Sequence, residues 1–195
     1  KRKTSMHCHP RKRTGLILLS GDAKFHHLEG SLPLGRLHAV NIDAGTFHCT
    51  EATSLLPIDP VSENGIWVME IESPPLKEDL CRMSDAYGRA GAMYEGADHM
   101  VPQPREILRL QEPEEGDTLL QRTFQNLVFT VRRGLIRKDR HFPAQDSLVA
   151  VIGREPGREY TNPYMEVGKV LAFPEFYKHT KDENLAGVTV LTIEQ

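Results

Sequence analysis

Lys3-Thr4-Ser5-Met6-His7-Cys8-His9-Pro10 is the stretch that decides how this chain is read, together with Ile42-Asp43-Ala44-Gly45-Thr46-Phe47-His48, which answers it further along. In an extended strand successive side chains point to opposite faces, so His7 and His9 share one face while Met6, Cys8 and Pro10 take the other. Two imidazoles are aimed into one space. Between the two stretches lies Gly15-Leu16-Ile17-Leu18-Leu19-Ser20-Gly21, a short apolar run bounded by glycine, which predicts a buried strand rather than a helix. The second glycine turn, at Gly45, delivers His48 into Phe47-His48-Cys49-Thr50. If that strand pairs near the first, three histidines converge, and three neutral imidazoles with open positions suit a divalent transition metal. The alternative is that His7 and His9 are polar residues on the solvent side of a strand.

The spacing resembles the cupin family, whose first motif runs His-x-His, then Glu, then Gly at the end of the next strand, and whose second runs Pro-x-Gly-x-x-His. His7, His9, Gly21, Gly45 and His48 fall on that pattern. Thr14 stands where the family has its Glu ligand and Asp43 where it has Pro. The resemblance implies a jelly-roll barrel and a metal held by His7, His9 and His48, with zinc first and manganese, iron or nickel as alternatives. Without the Glu the site has no anionic ligand, which shifts its affinity and selectivity.

A narrower likeness lies in Ser73-Pro74-Pro75-Leu76-Lys77-Glu78-Asp79-Leu80-Cys81-Arg82-Met83-Ser84-Asp85-Ala86-Tyr87-Gly88-Arg89. It is similar to the segment that closes the cupin part of type II mannose-6-phosphate isomerases and their fused mannose-1-phosphate guanylyltransferase relatives. By that resemblance Asp79, Arg82, Asp85, Tyr87 and Arg89 are sugar or phosphate contacts, and the arginine fork suits such anions. An ion-pair lock formed by Arg82, Asp85 and Arg89 accounts for the same residues. Just before this segment, Ile66 to Glu72 predicts a strand with Val68, Glu70 and Glu72 on one face. If that face is the barrel interior, Glu70 or Glu72 is a candidate acid, base or replacement ligand; if it is the exterior, both are solvent charges.

Elsewhere the sequence is plainer. Lys24 to Arg36, with Gly30, Pro33 and Gly35, predicts a turn-rich connection carrying His26 and His27 as loop histidines. Arg11-Lys12-Arg13 predicts a solvated turn. The composition changes near Pro102 and Pro104, which divides the chain into a barrel over 1–98 and a β-rich half over 99–195. In that half Arg105–Leu110, Leu127–Ile136, Leu148–Gly153, Val167–Phe173 and Val188–Glu194 predict five strands without a helix. It lacks a His-x-His, and His141 and His179 stand alone. The expected fold is therefore all-β: a cupin barrel followed by a degenerate, metal-free cupin-like unit.

Charged residues make up 26% of the 195 and the formal net charge is −3. That balance gives no electrostatic reason to expect nucleic acid or an anionic membrane as partner. Apolar runs stay short of the about 18 residues of a membrane span, and three cysteines without metal-finger spacing suit a reducing compartment, so the expectation is a cytoplasmic protein. Dinucleotide, phosphate-loop and nucleophile-elbow patterns are absent. The expected function is a metal-dependent isomerase or epimerase acting on a sugar phosphate or related sugar derivative. The alternatives are a three-histidine iron dioxygenase and a non-catalytic sugar-binding cupin. Cupins often pair through barrel surfaces, so the resemblance also implies a homodimer.

Overall fold

The structure, a computed structural model, describes residues 3–54, 65–76, 78–84, 113–114, 118–124, 126–134 and 143–195. The chain divides into two compact units, Lys1–Leu108 and Arg109–Gln195. The boundary expected near residue 98 lies outside the described residues.

Among the described residues the first unit holds eight strands: β1 (Met6–Cys8), β2 (Arg13–Ser20), β3 (Ala23–His27), β4 (Gly30–Leu34), β5 (Ala39–Ile42), β6 (His48–Ala52), β7 (Trp67–Ser73) and β8 (Cys81–Ser84). They form a five-stranded sheet in the order β4-β3-β6-β1-β8 and a three-stranded sheet in the order β5-β2-β7, with every pair antiparallel. Apart from the β3–β4 hairpin, each connection carries the chain from one sheet to the other. That crossing back and forth is the jelly-roll arrangement expected from the sequence.

One core joins the two sheets: Leu16 and Leu18 of β2 and Ile42 of β5 meet Ala23 and Phe25 of β3 and Leu34 of β4. Ile17 and Leu19, on the other face of β2, are buried too. Burial on both faces is why this strand reads as a continuous apolar run rather than an alternating one. At its end Gly21 turns with φ +78, and a β-carbon there would sit 2.8 Å from Ile66 Cγ2, so both conformation and space call for glycine.

The structure corrects the reading of Lys24 to Arg36, which is a hairpin and not an irregular connection. Its glycines and proline are placed where a hairpin tolerates them. Pro33 lies in β4, the edge strand of its sheet, where a missing N–H leaves no ladder bond broken.

In the second unit the described strands are β9 (Thr118–Phe124), β10 (Leu127–Arg133), β11 (Leu148–Arg154), β12 (Val170–Ala172) and β13 (Val188–Glu194), forming one antiparallel sheet in the order β12-β11-β13-β10-β9. The expectation of a half without helix is overturned. The predicted strand over Val167–Phe173 stops at Ala172, and α1 (Phe173–Thr180) follows, burying Phe173, Phe176 and Thr180 along one side. Pro174 fits the first turn of α1 because its absent N–H has no intrahelical acceptor there. Phe173 and Phe176 pack with Val149 and Val151 of β11 and Val188 and Val190 of β13. His179 stacks on Tyr164 with ring centroids 3.9 Å apart, while His141 lies outside the described residues.

Among the described residues no helix is long and apolar enough to cross a membrane. Cys8, Cys49 and Cys81 are free thiols.

Candidate metal centre

Two strands and one turn bring the histidines together. His7 of β1 is directly opposite His48 of β6 in the antiparallel register, and opposed residues share a face. The same row continues sideways, with His27 of β3 opposite His48 and Arg82 of β8 opposite His7. His9 lies two residues beyond His7 and returns to that face, as strand alternation requires. The turn before β6 is fastened to this end of β1, since the Gly45 N–H donates to the His9 carbonyl at 2.7 Å. Gly45 makes that turn with φ +80.

The ring centroids of His7, His9 and His48 are 4.5–5.7 Å apart, and one nitrogen from each lies within 4.8 Å of the others. Each Nδ1 faces a backbone carbonyl: Ser5 at 2.7 Å for His7, Asp79 at 2.6 Å for His9 and Thr46 at 2.9 Å for His48. A carbonyl only accepts, so each Nδ1 carries the proton. Nε2 is left as the nitrogen of each ring that can face an ion, which is the arrangement that orients metal-ligating histidines.

Electrostatics work the same way. Burial pulls the His48 imidazole down to about 4, the nearby His7 and His9 add to this, and the Thr46 carbonyl opposes it. Burial likewise lowers His7, with His9, Arg82 and Lys12 pushing in the same direction against the Ser5 carbonyl. Neutral imidazoles are the form that binds a metal. Three fixed imidazole donors fit a divalent ion such as zinc, manganese, iron or nickel, and these donors alone do not select among them.

The wall facing the histidines comes from β2 and β7. Thr14 is opposite Glu72 and Leu16 opposite Glu70, and Leu16 belongs to the core between the sheets. Glu70 and Glu72 therefore face the barrel interior. Glu72 Oε1 lies 3.7 Å from His9 Nε2 and 2.7 Å from Lys12 Nζ. Glu70 is accessible to solvent, yet the enclosing wall raises its carboxyl pKa, Glu72 raises it further, and His9 and Lys12 partly offset both. Thr14, at the position of the family's Glu, is 2% exposed and its Oγ1 has no hydrogen-bond partner among the described residues.

Lys12 is the residue that sequence reasoning missed. It was expected in a solvated turn, and its neighbours Arg11 and Arg13 are indeed largely exposed, but Lys12 itself is 4% exposed with its ammonium inside the barrel. The available signal was parity, because Lys12 is in step with Thr14 and Leu16 along the inward face. The turn is held by Asp79, whose carboxylate accepts the backbone N–H groups of Arg11 and Lys12, each at 2.8 Å, and Arg11 Nε at 3.3 Å. Burial works to raise the Asp79 pKa, but these donors and the Arg11 charge outweigh it and hold the carboxyl low. Expected as a sugar or phosphate contact, Asp79 instead spends its carboxylate on this turn and its carbonyl on His9. Arg82 is half-buried on the histidine face. Asp85, Tyr87 and Arg89 lie outside the described residues.

No family model matches the chain, and no curated protein is similar to it. Among solved structures, a conserved protein with a double-stranded β-helix domain from Klebsiella pneumoniae is 16% identical with a TM-score of 0.35, covering 43% of this chain and 66% of its own. AerE from Microcystis aeruginosa is 14% identical over 99% of this chain and 81% of its own, with a TM-score of 0.30. The mannose 6-phosphate isomerase of Bacillus subtilis is 12% identical over 100% of this chain and 69% of its own, with a TM-score of 0.31. At such identities the activity of a neighbour remains a property of that neighbour. What stands for this chain is an all-β, jelly-roll fold whose barrel holds three histidines placed to bind a metal ion.

Proposed function

We propose that the first unit is a metal-dependent enzyme for a small oxygen-rich substrate, a sugar phosphate or related sugar derivative, and that it isomerises or epimerises it. The observation that supports this most is the histidine trio, in which each ring is fixed through Nδ1 and one nitrogen from each lies within 4.8 Å of the others. A divalent ion held there would supply Lewis acidity toward a carbonyl oxygen and its neighbouring hydroxyl. The chain's own residues account for the rest. Isomerisation moves a proton between adjacent carbons, and Glu70, inward-facing and raised in pKa, suits the base. Glu72 lies beside it, bonded to Lys12. Arg82, on the same wall as the histidines, would take a phosphate or carboxylate of the substrate, with Asp85, Tyr87 and Arg89 as the further contacts implied by the family resemblance.

The test is solvent exchange. Protein reconstituted with zinc or manganese is incubated anaerobically with mannose 6-phosphate and other hexose phosphates in deuterated water, and the sugars are followed by NMR. Deuterium should enter the carbon next to the carbonyl while aldose and ketose interconvert. Glu70→Gln should slow this by about 100-fold or more, and a His7→Ala/His48→Ala double variant should abolish it together with metal uptake. Stoichiometric metal without exchange on any of these sugars would refute the isomerase reading. Thr14 in place of the carboxylate favours a second reading, a three-histidine iron dioxygenase, for which oxygen consumption with ferrous iron is the readout. A metal that alters sugar affinity alone would leave the non-catalytic binding protein.

A further inference from the structure

The carboxylate that β2 lacks is present one strand away. Thr14 and Glu72 are directly opposed across the β2–β7 pair, and opposed side chains have β-carbons only about 4.5–5.5 Å apart. A glutamate on β7 can therefore bring its oxygen to the ground that a glutamate on β2 would cover. The observed geometry approaches this at His9, while Glu72 lies outside the group of three histidines whose donor atoms are all within 4.8 Å of one another, so its carboxylate would close onto the ion on binding. Two donors bound to one ion at about 2.1 Å, with an angle of roughly 90–120° between them, are about 3.0–3.6 Å apart. Glu72 Oε1 lies 3.7 Å from His9 Nε2, a tenth of an ångström outside that range. Beside it the buried Thr14 hydroxyl has no partner among the described residues, so the threonine offers nothing to this corner that Glu72 would have to displace.

We propose that Glu72 is the anionic ligand completing the His7, His9 and His48 set, delivered from β7 in place of the β2 residue, and that Lys12 is the clamp that positions its carboxylate. The inference rests on the reading that the three histidines hold a metal. A carboxylate offers about four lone-pair sites, so the bond from Lys12 Nζ leaves capacity for an ion. Lys12 is itself held, its backbone N–H bonded to the Asp79 carboxylate. Two consequences follow. The ammonium cancels the charge that Glu72 brings, so the centre has four protein ligands while keeping the net charge of a three-histidine site, which favours polarising a substrate oxygen. A mixed imidazole and carboxylate set suits zinc, manganese or ferrous iron and disfavours cuprous copper.

The experiment compares the wild-type protein with Glu72→Gln, Glu72→Asp, Lys12→Met and the double variant Thr14→Glu/Glu72→Gln, each stripped of metal and titrated with cobalt(II) against a chromophoric chelator. Glu72→Gln should weaken binding by about 10-fold or more and change the visible cobalt spectrum. Glu72→Asp keeps the charge beside Lys12 but withdraws the oxygen by one methylene, so it should also weaken binding, and it serves if Glu72→Gln folds poorly. Thr14→Glu in the Glu72→Gln background should restore affinity and the four-ligand spectrum. Lys12→Met, which frees the carboxylate that Lys12 positions, should weaken binding when Glu72 is present but not when it is glutamine, a coupling that a double-mutant cycle reads directly. Wild-type affinity and an unchanged spectrum in both Glu72 variants would overturn the proposal while leaving the histidine site intact. Failure of the wild-type protein to take up any metal would overturn both.

Discussion

Removing the His48 imidazole should abolish a specific, acid-sensitive part of the first unit's stability. Burial holds the folded-state pKa of His48 near 4, against 6.5 for an ordinary imidazole. Below the ordinary value the unfolded chain takes up a proton that the folded chain refuses, so stability present above it is lost progressively as the pH falls toward the folded value. Linkage over those two values gives a loss of about 2 kcal/mol between roughly pH 7 and pH 5. His48 is 2% exposed, so solvent screening takes little from that figure. Glu70, whose pKa is raised, works in the opposite direction, because its folded form gains a proton more readily. It is present in both proteins of the comparison and largely cancels. The assay is urea unfolding of chelator-treated protein at the two pH values, wild type against His48→Gln. It is followed by the fluorescence of Trp67, the single tryptophan, which lies in β7 and so reports the first unit alone. Wild type should lose about 2 kcal/mol more than the variant. Equal losses would show that His48 is not held neutral by burial, and the case for His48 as a pre-formed neutral ligand would fall with it.

Two further substitutions test the scaffold. Gly21→Ala should be more damaging than Gly45→Ala in the same Trp67 assay. Both impose an unfavourable left-handed conformation worth about 1–2 kcal/mol, but only at Gly21 does the new β-carbon meet a neighbour, Ile66 Cγ2 at 2.8 Å, while Gly45 faces open space. Equal effects would contradict the close approach at the end of β2. Asp79→Ala should lower the thermal midpoint and weaken metal uptake together. It frees the Arg11–Lys12 turn and loosens the segment whose carbonyl orients His9. Asp79→Asn, which keeps one acceptor oxygen, should lie between. A chelator competition in which Asp79→Ala matches wild type would show that the turn does not support the centre.

The parts of this protein legible from sequence are those set by local rules. Alternation put His7 and His9 on one face, a continuous apolar run marked β2, and the glycines at Gly21 and Gly45 marked turns that other residues adopt with strain. Val188–Glu194 was readable as a strand from its β-branched residues alone. Two local signals were present and outweighed. Pro174 is a helix-start residue, but it follows an apolar Val-Leu-Ala run that reads as the strand it partly is. The hairpin over Ala23–Leu34 was masked by Pro33, which only its edge position makes acceptable.

What the tertiary structure decided is every relation between strands distant in the chain. Periodicity shows that Glu70 and Glu72 share a face, yet not whether that face is inside; the packing of Leu16 opposite Glu70 settles it. Nothing local foretells that Asp79, well downstream, would hold the turn that carries Lys12 inward. A lysine alone in sequence is expected in water, and burial becomes tolerable only where a carboxylate waits for it, as Glu72 does at 2.7 Å. Sequence therefore determined which side chains could form a site. The register of antiparallel pairs, which fixes what lies opposite what, determined which of them do.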